Sequence, residues 1–204
     1  DELFLDLCDE RGIFVWEENH ARGLRLEQMQ NPNFFQQCQD CNREMVENHI
    51  NHPSIVIWGI LNECASDTEE GREHYRQQFE QIKSMDKSRP LTFATCRIFN
   101  DICLDLADIV SVNIYSGWYN NNDIEDYYRR TRKWIEESGG AKKPIIISEF
   151  GAGAIYGYRE PTHVKWTEGR QKELLKQLLS YYLSQKEIVG TLIWQFCDCR
   201  ISED

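Results

Sequence analysis

The sequence predicts an α/β fold in which a parallel sheet is covered by helices. Short, almost wholly apolar segments alternate with longer amphipathic segments along the 204 residues. Apolar runs of strand length are typical of strands that are buried on both faces. No internal repeat and no low-complexity linker interrupts the alternation. This order of segments favours either a doubly wound sheet or a (β/α)8 barrel.

Six segments carry apolar residues at the three-to-four spacing of a helix face. The first places Leu3, Phe4, Leu7 and Cys8 on one stripe and stops at Gly12, because glycine commonly ends helices. The helical segments are predicted around residues 3–11, 34–48, 75–82, 102–106, 124–134 and 174–182.

Six apolar segments between these helices are predicted strands. They comprise residues 13–16, 54–61, 91–94, 109–113, 144–148 and 189–196. The segment 54–61 is a nearly continuous apolar run, which indicates a strand without a solvent-facing side. Six strands are fewer than the eight that close a barrel, so a barrel interpretation requires that only part of it is present.

Polar and aromatic residues stand at the carboxyl ends of these predicted strands. The set comprises Glu17, Glu18, Asn62, Glu63, Asn113, Tyr115, Glu149, Trp194 and Gln195. Barrel enzymes carry their chemistry at that end of the sheet. The glycine-rich phosphate loops of nucleotide-binding sheets are absent from the sequence. The sequence therefore favours a (β/α)8 TIM barrel, present in part, over a doubly wound sheet.

The charge balance argues against one broad class of partner. Lys and Arg number 23 against 34 Asp and Glu, which gives a formal net charge of −11. Recognition of nucleic acid through its phosphates needs a basic footprint, so no nucleic-acid partner is expected. No apolar run approaches the roughly 18 residues that span a bilayer, and the amino terminus lacks the pattern of a signal peptide. No membrane partner is expected.

Eight cysteines are many for this length, yet their pattern does not indicate a disulfide framework. Cys8, Cys38, Cys41 and Cys103 fall on the apolar phase of predicted helices, where free cysteine acts as a small hydrophobic residue. Neither Cys38/Cys41 nor Cys197/Cys199 is a convincing half of a zinc site, so no metal and no cofactor is expected. Free thiols predict a reducing compartment, a bacterial-type cytoplasm, with an extracellular location left open.

Two glutamates follow apolar strands directly. Glu63 ends the run 55–62, and Glu149 ends the run 145–148. A carboxylate in such a position is held rigidly and is partly desolvated, which suits proton transfer. A single one more often caps a helix or pairs with a lysine. Two that face one cavity supply the proton donor and the nucleophile that cleave a glycosidic bond.

Four segments carry a resemblance to a known family. Residues 51–63, N-H-P-S-I-V-I-W-G-I-L-N-E, resemble the acid/base signature of glycoside hydrolase family 2, the β-galactosidase and β-glucuronidase family. Residues 146–151, I-I-S-E-F-G, resemble the nucleophile strand of that family. Residues 112–119, V-N-I-Y-S-G-W-Y, are similar to the sixth strand of its β-glucuronidase branch, and residues 192–196, L-I-W-Q-F, to its eighth strand.

The resemblance implies a retaining exo-β-glycosidase that hydrolyses terminal β-linked sugars, most similar to a β-glucuronidase. It implies Glu63 as the general acid/base and Glu149 as the nucleophile, with carboxyl groups about 5 Å apart. Asn62 would hydrogen-bond the 2-hydroxyl of the sugar, and Tyr115 would orient Glu149. Trp194 would stack on the sugar ring.

The resemblance also implies His20 and Asn113 as substrate-binding residues, and a carbohydrate as the partner. Residues 1–204 would then be a single partial catalytic domain that comprises barrel strands three to eight. The first two strands, a jelly-roll domain and an immunoglobulin-like domain would precede it. An Asn-x-Lys element that binds the substrate carboxylate in β-glucuronidases would follow it. Formation of a homo-oligomer and activity of the fragment alone stay open.

Several functional alternatives stay open at this stage. A β-galactosidase or a β-galacturonidase of the same family would carry the same two glutamates. A carbohydrate-binding or scaffold module would keep the aromatic cleft without turnover, and the presence of both Glu63 and Glu149 counts against it. A doubly wound α/β protein of unrelated function is disfavoured by the missing phosphate loops.

Overall fold

The computed structural model describes residues 1–198, along which strands and helices alternate except at two consecutive helices and three consecutive strands. The helices are α1 (Glu2–Arg11), α2 (Leu26–Met29), α3 (Phe34–His49), α4 (Glu69–Met85), α5 (Ile124–Glu137) and α6 (Glu168–Tyr182). The strands are β1 (Val15–Glu18), β2 (Ile55–Gly59), β3 (Leu91–Thr92), β4 (Ala94–Thr95), β5 (Val110–Asn113), β6 (Ile145–Phe150) and β7 (Ile188–Ile193). Cys199 of the predicted Cys197/Cys199 pair lies outside the described residues.

The predicted helix around 102–106 is wrong, and the one-turn helix α2 was missed. Residues 102–106 form a turn because their main-chain groups are bonded elsewhere. The N–H of Cys103 donates to Oδ1 of Asp101 at 2.7 Å, and the N–H of Ile102 donates to the carbonyl of Ser66 at 3.0 Å. The apolar spacing of this segment therefore reflects burial without helical structure.

The predicted first strand begins two residues too early. The N–H of Ile13 donates to the carbonyl of Cys8 at 2.9 Å, which makes Ile13 part of the cap that follows α1. Gly12 adopts the left-handed conformation at that cap, with φ 64°. The buried side of α1 also differs from the prediction, because Leu5 and Cys8 are buried whereas the other residues of the expected stripe are exposed.

Contacts group the described chain into two compact units. The first unit comprises Asp1–Ser111 and Trp134–Lys143. Its sheet has the order β1-β2-β3, and both strand pairs are parallel. Gly59 pairs with Glu18, and a side chain at Gly59 would lie 2.0 Å from Nε1 of Trp16. Only glycine therefore fits where β2 passes β1.

The core of the first unit includes a buried polar cluster beneath β2. Trp58 is fully buried, and its indole N–H donates to Oδ2 of Asp86 at 2.9 Å. Arg89 pairs with the same oxygen at 2.8 Å, and its guanidinium lies 5.4 Å from the centre of the Trp58 ring. The cluster fixes the end of α4 to the strand that leads to Glu63.

The second unit comprises Val112–Lys133 and the chain from Pro144 onward. Strand β6 pairs with β7 in parallel. The N–H of Ile114 donates to the carbonyl of Glu149 at 2.8 Å, which aligns the end of β5 with β6. Phe150, Tyr128 and Tyr182 form an aromatic core, with ring centres 5.6 to 5.9 Å apart in edge contacts.

Within the described residues, every helix is too short or too polar to pass through a bilayer.

Candidate active site

Glu63 lies on a turn that follows β2 in the first unit. It is half-buried, as is Asn62 beside it. The sequence predicted that Glu63 would end the strand, but β2 ends four residues earlier, at Gly59. Leu61 and Glu63 both adopt positive φ, 48° and 55°. The side chain of Glu63 is therefore presented by a turn of unusual backbone conformation.

Main-chain bonds fix this turn on two sides. The N–H of Glu63 donates to the carbonyl of Ala94, at the start of β4, at 2.9 Å. The carbonyl of Asn62 accepts from the N–H of Gly23 at 2.8 Å, and Arg22 forms a parallel bridge with Asn62. The residues after β1 and the strand β4 thus both align the segment that carries Glu63.

Glu149 lies within β6 in the second unit, one residue before the strand ends. Its Oε2 accepts a 2.6 Å hydrogen bond from the hydroxyl of Tyr115. Gly151 follows with φ 156°, and a side chain there would lie 2.6 Å from the carbonyl oxygen of Trp194. Because residue 151 has no side chain, the main chain after Glu149 can pack directly against the main chain at the end of β7.

The remaining predicted residues differ in environment. Asn113 is buried, and its Oδ1 accepts from the hydroxyl of Ser148 at 2.7 Å. Trp194 is half exposed, and its N–H donates to the carbonyl of Phe150 at 2.9 Å. His20 is exposed, and its Nδ1 lies 3.6 Å from Sγ of Cys41.

His20 belongs to a cavity of the first unit. The cavity encloses about 400 Å³ and is lined in part by Asn19, Arg22, Phe34 and Cys41. Burial raises the pKa of the Cys41 thiol, and the acidic neighbours Glu44 and Asp40 add to the effect. The thiol is therefore protonated at neutral pH.

An aromatic group beside Tyr115 was only partly anticipated. The rings of Tyr115 and Tyr119 lie 5.0 Å apart, and Trp118 contacts Trp166 edge to face at 4.9 Å. Nζ of Lys165 lies 4.4 Å from the centre of the Trp118 ring. The sequence indicated aromatic residues here, but nothing in its local pattern signals the Lys165 contact.

One described cluster has the composition of a metal site. Atoms of Asp6, Asp9 and His52 lie within 4.8 Å of one another. Nδ1 of His52 is 2.7 Å from Oδ2 of Asp9, and the other carboxylate oxygen of Asp9 accepts from the N–H of Ser54 at 2.8 Å. These bonds give the cluster a structural role, because they join α1 to the segment before β2.

The predicted residues thus fall into two groups. Asn62, Glu63 and His20 belong to the first unit, whereas Asn113, Tyr115, Glu149 and Trp194 belong to the second. Both groups follow or end parallel strands of an α/β arrangement. The chain is therefore of the class of parallel α/β domains that carry carboxylates at the carboxyl ends of their strands.

Comparison with known proteins gives a specific assignment. Residues 1–203 match the family described as glycosyl hydrolases family 2, TIM barrel domain, and the chain belongs to this family. The predicted fold class, a TIM barrel present in part, and the resemblance to this family are both confirmed.

Curated relatives are named β-glucuronidases. The protein from Sus scrofa is 33% identical over 206 residues, and the one from Chlorocebus aethiops is 34% identical over 203 residues. Each alignment covers 97% of this chain and 31% of the relative. The chain thus spans about a third of the length of the curated relatives it matches.

Solved structures of two further relatives superpose on the whole chain. A GH2 β-galacturonidase from Eisenbergiella tayi, bound to galacturonate, is 59% identical with a TM-score of 0.97. A β-D-glucuronidase of Dictyoglomus thermophilum is 29% identical with a TM-score of 0.88. Both alignments cover 100% of this chain and 37% of the other.

Proposed function

We propose that this chain is the catalytic barrel segment of a retaining exo-β-glycosidase that hydrolyses terminal β-linked uronic acids. The observation that carries the proposal is the 2.6 Å hydrogen bond from Tyr115 to Glu149 in a family 2 barrel. A short bond from a neutral hydroxyl stabilises the ionised carboxylate and orients one of its oxygens. An oriented, ionised carboxylate is what a glycosidase nucleophile must be.

In the proposed first step, Glu149 attacks the anomeric carbon while Glu63 donates a proton to the leaving oxygen. The aglycone departs, and a covalent glycosyl-enzyme remains. In the second step, Glu63 accepts a proton from water, and the water displaces Glu149 from the sugar. Two inversions at one carbon give net retention of the β configuration.

The other predicted residues would bind the sugar. Asn62 would hydrogen-bond the 2-hydroxyl, an interaction that strengthens as the ring becomes cationic. Trp194, half exposed after β7, would offer its ring face to the C–H groups of the sugar. His20 would contact the substrate from its exposed position. Asn113 is buried against Ser148, so its contribution to binding would be to support β6.

Two uronic acids are candidates for the substrate. The curated relatives favour a β-glucuronide, and the E. tayi structure, at 59% identity, favours a β-galacturonide. The two sugars are epimers at C4, so one hydrogen-bonding pattern around that hydroxyl decides between them. The seven described free cysteines support a reducing compartment such as a cytoplasm.

The proposal is tested on the full-length polypeptide that carries this chain. We expect turnover of 4-nitrophenyl β-glucuronide or β-galacturonide, with a smaller kcat/KM for the matching β-glucoside and β-galactoside. The sugar released first, observed by NMR before mutarotation, should be the β anomer. Release of the α anomer would exclude a retaining mechanism, and absence of turnover with all four substrates would exclude the activity.

The ratio of kcat/KM for the two uronides identifies the natural epimer. A preference for the galacturonide of more than about a hundredfold would correspond to the loss of a hydrogen bond with the wrong epimer. Glu149→Gln is the negative control for turnover of all four substrates, because it keeps the size of the side chain and removes the nucleophile.

A further inference from the structure

The turn that carries Glu63 is held in a conformation that it would not adopt by itself. Leu61 and Glu63 both have left-handed φ values, 48° and 55°, although neither is glycine. A non-glycine residue in this region is destabilised by the contact between its Cβ atom and the main chain. Two such residues within three positions persist only where surrounding groups fix the main chain.

The surrounding groups contact both polar atoms of the Leu61 backbone. The hydroxyl of Tyr75 in α4 donates to the carbonyl of Leu61 at 2.9 Å. The Oδ1 atom of Asn19, just after β1, accepts from the N–H of Leu61 at 3.4 Å and from the N–H of Ala21 at 3.2 Å. Leu61 is thus bonded through side chains from two different elements.

Asn19 is itself fixed by a buried network of amides. Its Nδ2 donates to Oδ1 of Asn42 at 2.8 Å and to Oε1 of Gln78 at 3.0 Å. Nδ2 of Asn42 also donates to Oε1 of Gln78 at 3.1 Å. All three side chains are buried, so each unmade bond would leave an unsatisfied polar group. The network therefore links α3 and α4 to the position of Leu61.

Tyr75 is held by packing in the core of the first unit. It is fully buried in α4 and contacts Phe93 edge to face, with ring centres 4.7 Å apart. Burial raises the pKa of its hydroxyl, so it remains a hydrogen-bond donor throughout the neutral range. Its bond to Leu61 is consequently a constant constraint on the turn.

We infer that Tyr75 and Asn19 are positioning residues for the general acid/base, acting through the main chain of Leu61 on Glu63. The inference rests on the proposed function of Glu63. A general acid must meet the leaving oxygen within hydrogen-bond range, and small displacements lower the rate strongly. A turn held through Leu61 restricts where the carboxyl group two residues later can lie.

The test is Tyr75→Phe in the full-length polypeptide, because it removes one oxygen atom and keeps the ring. Aryl β-uronides with different leaving groups distinguish a misplaced acid from general damage. A phenyl glycoside needs protonation of its leaving oxygen, whereas a 2,4-dinitrophenyl glycoside needs little. We expect kcat/KM to fall about tenfold or more for the phenyl substrate and less than about twofold for the dinitrophenyl substrate.

Azide gives a second readout that a purely structural role would not change. With the dinitrophenyl substrate, hydrolysis of the glycosyl-enzyme needs Glu63 as a base, so kcat of the variant should fall. Azide needs no base and should raise kcat again with formation of the β-glycosyl azide. The wild-type enzyme should show little acceleration.

Tyr128→Phe is the matched control. Tyr128 is also buried, and its hydroxyl also makes a hydrogen bond, 3.3 Å to Glu187, but its partner is not part of the Leu61 turn. This variant should show equal, small changes for both substrates and no response to azide. If Tyr75→Phe does not fold, Asn19→Ala removes the acceptor for the Leu61 N–H and should show the same leaving-group dependence.

The outcomes separate this inference from the proposed function. A wild-type polypeptide without β-glycosidase activity would overturn the proposed function. An active wild type whose Tyr75→Phe and Asn19→Ala variants lose activity equally on both substrates, or lose none, would overturn only the positioning role.

Discussion

The hydroxyl of Tyr115 donates a 2.6 Å hydrogen bond to Oε2 of Glu149. The two residues are 34 positions apart in the sequence, and the bond joins the segment after β5 to β6. This contact gives the proposed nucleophile both its orientation and a stabilised charge.

Removal of that bond should slow glycosylation. We expect Tyr115→Phe to lower kcat/KM for a dinitrophenyl uronide by about ten- to a hundredfold, because Glu149 loses its fixed orientation. Steady-state kinetics on the full-length polypeptide measures this. Tyr119→Phe is the control, since Tyr119 contacts the Tyr115 ring but is largely exposed. An equal loss in both variants would contradict the specific role of Tyr115.

The two glutamates should respond differently to truncation. Glu149→Ala should abolish hydrolysis of every β-glycoside, because no covalent intermediate forms. Glu63→Ala should still react with a dinitrophenyl glycoside but stall at the glycosyl-enzyme, and azide should restore turnover with a β-glycosyl azide as product. The product configuration is read by NMR. Azide rescue of Glu149→Ala to a β product, without rescue of Glu63→Ala, would reverse the two roles.

Asp86 should contribute stability at neutral pH that is lost at low pH. Burial alone would raise its pKa, but hydrogen bonds from Ser88, Trp58 and Arg89 outweigh burial and lower it. A lowered folded-state pKa means that the stabilisation is present above the unfolded pKa and is lost as pH falls through the folded value.

We therefore expect Asp86→Asn to lower the free energy of unfolding at pH 7 by about 2 kcal/mol, because Arg89 loses the negative charge of its acceptor. Chemical denaturation followed by tryptophan fluorescence measures the change, which should shrink at acidic pH. Asp40→Asn is the control, since Asp40 forms an exposed pair with Arg43 at 2.7 Å and should change stability much less. A difference for Asp86→Asn that does not vary with pH would contradict the ionic contribution.

His52 should make stability depend on pH in the opposite sense. A hydrogen bond with Asp9 raises the pKa of His52, and burial opposes this effect more weakly. A raised folded-state pKa gives stabilisation that is complete below the unfolded pKa, about 6.5, and is lost as pH rises through the folded value. The melting temperature of wild type minus that of His52→Gln should be larger at pH 5.5 than at pH 8.5.

Asp9→Asn provides a check on this partner assignment. It removes the nearer of two acidic partners of His52, since Glu2 lies 3.5 Å from Nε2, so the pH-dependent part of the difference should become smaller in that background. If His52→Gln lowers the melting temperature equally at both pH values, the pair does not contribute through its charge.

Local sequence patterns were sufficient to predict most elements of the fold. The helix α3 over Phe34–His49 and the strand β2 over Ile55–Gly59 were found because side-chain spacing repeats within each element. The expected strand 91–94 was less accurate, because β3 and β4 are separate two-residue strands on either side of Phe93. Apolar composition does not show which main-chain groups form hydrogen bonds with each other.

In the candidate site, too, some features were predicted from the sequence and others are shown only by the structure. The motif around Glu63 and the strand that carries Glu149 were recognised from contiguous residues. The constraint on Glu63 was missed, because Tyr75 lies 14 positions and Asn19 42 positions from Leu61. Neither residue type signals such a bond in the sequence.

The sequence by itself determined most of the strands and helices, the family of the chain and the two glutamates proposed for catalysis. These properties follow from spacing and motifs that are local in the chain. Only the tertiary structure decided that Tyr115 bonds Glu149 and that Tyr75 and Asn19 hold Leu61. The physical reason is that a hydrogen bond depends on distance and direction in space, which the packing of separate elements sets.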